Sequence, residues 1–131
     1  MDRVNHYYNF FESLSSMRDV HDFILDIGSQ GGVPPQLKNK NTFVNGCQSQ
    51  VWIVPMPKDG TVKYTGDSDS FMVRGIINLV CDIANHATKE ELDQLSYKDL
   101  EPIAKYFSAS RRRGLQAIIN RIRLIHTEVN K

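Results

Sequence analysis

A hairpin signal enclosed between helical ones is the feature that most limits what this chain can become. Residues 48–54, Gln-Ser-Gln-Val-Trp-Ile-Val, are polar at the near end and β-branched or aromatic at the far end. Pro55-Met56-Pro57-Lys58-Asp59-Gly60 reads as a turn, and Thr61-Val62-Lys63-Tyr64-Thr65 then alternates polar and apolar residues. Two such runs predict an antiparallel hairpin with one buried face.

The flanking segments have helical spacing. Tyr7, Tyr8, Phe10 and Phe11 cluster within residues 4–14, ending at Leu14. Ser15-Ser16 offers N-caps to a segment carrying Val20, Phe23, Ile24 and Ile27, which Gly28 ends. Gly31-Gly32-Val33-Pro34-Pro35 is a stiff loop. After the hairpin, Gly66-Asp67-Ser68-Asp69 reads as a loop-to-helix junction. Asp67 or Ser68 would cap that helix, with Asp69 at the positive end of its dipole.

The predicted helix over about 69–86 presents Phe71, Met72, Ile76, Leu79, Val80, Ile83 and Ala84 as a core-facing stripe. Thr88-x-x-Glu91 is a capping box opening a shorter helix through Leu92 and Leu95. Pro102 suits the first turn of another, ending near Phe107, and Ser110 suits the cap of the last. That last helix carries Leu115, Ile118, Ile119, Ile122, Ile125 and Val129. The expected fold class is α+β, a small antiparallel sheet packed by helices.

At 131 residues the chain is expected to form one domain, 1–131, with a core large enough to need no disulfide or metal. It shows no internal repeat and no low-complexity tract. No stretch approaches the roughly 20 apolar residues of a membrane span, and no signal-peptide core follows Arg3. The expected address is the cytoplasm, where Cys47 and Cys81 would stay reduced. Net charge is only +1, but it is polarised: residues 111–131 hold six cations against one acid, +5, leaving −4 on the rest.

Several residues are candidates for chemistry. Cys47, in Val44-Asn45-Gly46-Cys47-Gln48, lies between a turn signal and a strand, and Gly46 leaves room beside the thiol. It is either a presented thiol or a small buried hydrophobe. Cys81, inside an apolar helical run, reads as a core residue. The four histidines are scattered and no Cys-x-x-Cys or His-x3-His spacing exists, so no metal is expected. Trp52 reads as core, and capping accounts for Asp67 and Asp69. Arg111-Arg112-Arg113 opposes the dipole at the start of a helix, so it is either a solvated run or faces an anion or acidic partner. No nucleic-acid reader motif accompanies it.

Taken in order, Asn45-Gly46-Cys47-Gln48-Ser49-Gln50-Val51-Trp52, Gly66-Asp67-Ser68-Asp69, Arg74-Gly75 and Ser110-Arg111-x-x-Gly114-Leu115 resemble the SufE family. The resemblance runs from about residue 20 to residue 125 and includes the helix–Gly28–Pro34-Pro35 prelude. It implies a fold like the IscU scaffold proteins. The implied role is that of a sulfur acceptor in iron–sulfur cluster assembly, not an enzyme. Such a protein takes a persulfide sulfur from a pyridoxal-phosphate cysteine desulfurase (SufS-like or CsdA-like), stimulates it, and serves a downstream iron–sulfur scaffold.

Cys47 matches the family's acceptor cysteine. Gly46, Gln48, Asp67, Asp69 and Arg111 fall in the motifs as supporting residues, whereas Arg112 and Arg113 exceed the motif. No cofactor is implied for this chain, since the pyridoxal phosphate belongs to the desulfurase. A thiolate attacking a persulfide needs only one cysteine, accessible during transfer and shielded otherwise. The alternatives are an IscU-type iron–sulfur or zinc scaffold, which would want more cysteines near one site, a carrier for another sulfur pathway, or a stand-alone thiol enzyme, for which no histidine is placed beside Cys47.

Overall fold

Asp59-Gly60 sets the register of the whole sheet. In a computed structural model describing residues 1–130, β1 (Val51–Lys58) pairs antiparallel with β2 (Thr61–Ser68), from Val51 opposite Ser68 to Lys58 opposite Thr61. Lys131, counted above in the basic segment, lies outside the described residues. Asp59 and Gly60 have φ of +52° and +79°, the two positive values that a two-residue hairpin loop of matching twist requires.

The turn is therefore shorter than 55–60, and Pro55 and Pro57 lie inside β1. They are tolerated there because of their parity. The Ile53 N–H points away from β2 and donates to the Thr42 carbonyl at 2.9 Å, so 55 and 57 also direct their missing N–H outward. On the far side, the Tyr64 N–H donates to Asn85 Oδ1 (2.7 Å) and its carbonyl accepts from Asn85 Nδ2 (3.0 Å). One side chain thus stands in for a third strand.

β2 continues to Ser68, so the next helix begins later than residue 69. The helices are α1 (Asp2–Ser13), α2 (Met17–Gly28), α3 (Phe71–Asn85), α4 (Lys89–Asp93), α5 (Tyr97–Ala104) and α6 (Ala109–Val129). Ser70 caps α3, accepting from the Val73 N–H at 3.3 Å, in place of Asp67 or Ser68. Ser108 rather than Ser110 caps α6, accepting from the Arg111 N–H at 3.3 Å. α5 opens where the Ser96 N–H donates to Asp99 at 3.0 Å, which puts Pro102 in the helix body, not its first turn. Ser16 caps α2 and the Thr88–Glu91 box opens α4, as the spacing predicts.

Val51, Ile53, Tyr64 and Gly66 share the face of the sheet that α3 covers. At Gly66 the approach is so close that a Cβ would lie 2.7 Å from Ile77 Cγ2. The core continues through Ile76, Leu79 and Ile83 of α3 into Leu115, Ile118, Ile119 and Ile122 of α6. Aromatic edges seat α1, with Phe11 5.1 Å from Tyr106, while Tyr7 and Arg3 both hold Asp82 of α3.

Phe71 is not in the stripe. At the first turn of α3 it is 58% exposed, its ring 4.8 Å from the Arg74 guanidinium. Trp52 is not core either. It lies on the other face of the sheet, half-buried, between Phe43 and the Lys38 ammonium. No helix among the described residues is long and apolar enough to cross a membrane.

Candidate functional site

The loop that carries Cys47 is tied at both ends and loose between. Before it, the Val44 N–H donates to the Val51 carbonyl at 2.8 Å, so residues 42–44 lie along the outer edge of β1. After it, the Gln50 N–H donates to Asp69 Oδ1 at 3.0 Å. In between, Gly46 has φ +97°, a conformation L side chains rarely adopt, and a Cβ there would also come 3.3 Å from Ala117 Cβ on α6.

Cys47 is half-buried against α6, where its thiol approaches the Gly114 carbonyl at 3.7 Å. A small cavity of about 20 Å³ adjoins it, room for a single water-sized occupant. Val73, Ile76, Leu115 and Ile118 supply apolar walls, and Gln48, Ser49, Ser110 and Arg111 supply polar ones. Burial pushes the Cys47 thiol above its ordinary pKa, so at rest it is held protonated at neutral pH. Cys81 differs in kind. It is 5% exposed inside α3, and burial, aided by the Asp82 charge, raises its thiol to about 12.

The structure brings Gly46, Cys47, Gln48 and Arg111 together, but not the two aspartates. Asp67 is 3% exposed and away from the cavity. Its carboxylate takes Lys38 Nζ (2.8 Å), Arg74 Nη1 (3.2 Å), and the N–H groups of Val33 (3.0 Å) and Ser68 (2.7 Å). Burial opposes its charge, but those partners prevail and hold its pKa below the usual carboxylate range. Asp67 therefore pins the 33–38 loop to β2 and α3, while exposed Asp69 pins the end of the Cys47 loop.

The arginine run also divides. Arg111 lines the cavity, Arg112 donates to the Phe107 carbonyl at 3.1 Å, and Arg113 is exposed.

Gly114 was legible only as part of a motif, and its structural meaning lies in α6. A glycine in a helix interior costs roughly 0.5–1 kcal/mol relative to alanine, which signals a close approach by something else. Here that neighbour is Cys47, whose Sγ would lie 3.4 Å from an added Cβ. Lys38 and Ala117 carry no such signal in the sequence. Among the described residues no three of His, Cys, Asp and Glu are gathered as a metal site.

Comparison with known proteins places this architecture. In shape it is similar to the solution structure of a hypothetical protein from Thermus thermophilus, with a TM-score of 0.76 over 96% of this chain and 94% of that one. The two are 16% identical, so that likeness is one of fold. A family model described as SufE, an Fe–S metabolism associated domain, matches residues 5–125. That match takes in the Cys47 loop, both strands and nearly all of α6, and the chain belongs to the SufE family of iron–sulfur metabolism.

Proposed function

We propose that Cys47 accepts sulfur from a cysteine desulfurase. The observation that carries this reading is a half-buried thiol on a glycine-hinged loop, beside a cavity with room for one more atom. In the transfer, the Cys47 thiolate attacks the outer sulfur of the desulfurase persulfide. The S–S bond of that persulfide breaks, its inner sulfur leaves as the desulfurase thiolate, and a new S–S bond makes Cys47 the persulfide. One cysteine suffices and no redox partner is consumed.

The reaction needs a thiolate, whereas burial favours the thiol. The loop therefore has to leave the cavity to react, and Gly46 gives it the freedom to do so. On return, the added sulfur occupies the space between Val73, Ile76 and Ile118, away from oxidants. Arg111 stands at the rim, where its charge stabilises an emerging thiolate or an acidic docking surface. The protein is then a carrier and activator rather than an enzyme. The pyridoxal phosphate stays with the desulfurase, the sulfur goes on to an iron–sulfur scaffold, and the reducing cytoplasm is the fitting location.

The test is intact-mass spectrometry after incubation with desulfurase and cysteine. One added sulfur is expected on the wild type and on Cys81→Ala, and none on Cys47→Ser. Loading on Cys81 would overturn the assignment. One equivalent of zinc or iron, bound tightly and lost with Cys47, would favour the scaffold instead. Arg111→Ala should load more slowly than Arg113→Ala. A loss shared equally by both and abolished at 1 M salt, where the Debye length is about 3 Å, would reduce Arg111 to part of a basic patch.

A further inference from the structure

A second hollow lies at the other ends of α3 and α6, apart from the Cys47 cavity. The first halves of both helices line the Cys47 cavity, and their last residues, with β2 and the start of α4, line a groove of about 360 Å³. That is within the range of small-ligand sites. Val62, Leu92 and Val129 are among its apolar walls, and Val129, expected in the core stripe, is instead 47% exposed.

Its formal charges are of one sign. Lys63 and Lys89 line the groove, with His126, and no Asp or Glu does. Lys63 donates only to the Asn85 carbonyl at 2.9 Å, and no ion pair engages Lys63 or Lys89 among the described residues. His126 is 5% exposed and is held from behind by Asp93 at 2.7 Å.

Tyr64 adds an independent sign. It is 3% exposed, yet no described group hydrogen-bonds its hydroxyl. Tyr64 nevertheless lines the groove. A buried ring with an unused donor, in the wall of the same groove as two lysines outside any ion pair, suits an anionic acceptor.

We propose that this groove binds a monocarboxylate with a short apolar body, its carboxylate taking the Tyr64 hydroxyl and a lysine ammonium, its body lying against Val62, Leu92 and Val129. An amine would be repelled by Lys63 and Lys89, and inorganic phosphate has nothing to set against the apolar walls. Free short-chain acids and the C-terminal residue of a peptide share this chemistry.

The experiment is an NMR titration of the nitrogen-15-labelled chain with hexanoate, hexanol, hexylamine, inorganic phosphate, N-acetyl-alanyl-leucine and the amide of that dipeptide. Hexanoate should move the amides of Thr61, Val62, Tyr64, Asn85 and Leu92, with a Kd on the order of 1 mM. Hexanol and hexylamine should bind about fivefold more weakly or less. Tyr64→Phe should weaken hexanoate about fivefold, as loss of one hydrogen bond does. Lys89→Gln should weaken it too, and Ala87→Trp should block it while leaving the Cys47-loop amides in place.

Tighter binding of the dipeptide acid than of hexanoate, lost in its amide, would identify a peptide C-terminus. The reverse order would identify a free acid. Silence of these amides toward hexanoate, equal binding by hexylamine, or equal binding by phosphate would overturn the proposal. No desulfurase enters the assay, so its failure would leave the sulfur-acceptor reading untouched.

Discussion

Two seams of this molecule are built on glycine, and they differ in what the missing side chain makes room for. Between α2 and α3, a Cβ at Gly28 would lie 2.0 Å from the Phe71 carbonyl oxygen, and one at Gly75 would lie 2.1 Å from that of Ile24. Between the Cys47 loop and α6, the corresponding distances are 3.3 Å from Gly46 to Ala117 Cβ and 3.4 Å from Gly114 to Cys47 Sγ. The first seam is backbone against backbone, sealed by Arg74 Nε on the Gly28 carbonyl (2.6 Å) and Asn78 Nδ2 on that of Ile27 (3.0 Å). The second is glycine backbone against a side chain, with one long contact from the Cys47 thiol to the Gly114 carbonyl. A packed backbone seam cannot open without losing all its contacts together, whereas the loop seam can release cheaply. The rigid seam holds α3 in place, and the loose one rests on α3 and α6.

The sharpest way to break this contrast is Gly75→Ala. The new Cβ would lie 2.1 Å from the Ile24 carbonyl oxygen, a backbone atom that cannot swing aside, so α2 and α3 must part, at a cost of about 3 kcal/mol or more. Urea unfolding measures it, and a loss below about 1 kcal/mol would show that the seam is not rigid.

Asp67→Asn comes next. It removes the charge that Lys38 and Arg74 share in a buried position, which costs about 3 kcal/mol. Because the folded pKa of Asp67 is lowered, its contribution is fully present above the unfolded carboxylate value of about 3.9. It is lost as pH falls through the lower folded value, so the gap between wild type and Asp67→Asn should close in acid and stay constant near neutrality. A gap independent of pH down to acid unfolding would mean that the charge contributes nothing.

Asp69→Ala tests the loose seam. Gln50 is exposed and water replaces its lost partner, so stability should fall by no more than about 1 kcal/mol. The Cys47 loop, freed at one end, should expose its thiol more often. Iodoacetamide should then alkylate Cys47 several-fold faster, with Cys81 unchanged; an unaltered rate would remove Asp69 as a restraint.

The smallest effect is expected of Gly114→Ala. Its Cβ makes only ordinary contact with Cys47, and alanine favours the helix by roughly 0.5–1 kcal/mol, so stability should hold or rise slightly. Sulfur loading should fall, because the methyl group occupies space beside Sγ. A destabilisation like that of Gly75→Ala would erase the distinction between the seams.

The local features of this fold were open to reading because the groups that make them lie within a few residues of one another. The Thr88–Glu91 box, the Ser16 cap and the hairpin itself are of this kind. The caps at Ser70 and Ser108 lie two or three residues from the positions the sequence predicts, for one reason. Each neighbourhood holds several residues able to cap, and only the end of the preceding element selects among them. Pro55 and Pro57 looked like a turn because a proline's tolerance in a strand depends on which edge faces a partner, and that edge is a property of the sheet.

The sequence alone determined the α+β order of elements, the presence of the hairpin and, through its motifs, the family and the one cysteine beside a glycine. Tertiary structure decided what that cysteine meets. Its thiol lies against Gly114, 67 residues away, and the Val33 loop reaches Asp67 across 34. It also separated Asp67 from Asp69, set Arg111 on the cavity and Arg113 in solvent, and left Phe71 outside the core. Propensity and capping act over one turn of chain. Burial, charge pairing and the room beside a sulfur atom arise only where distant segments pack.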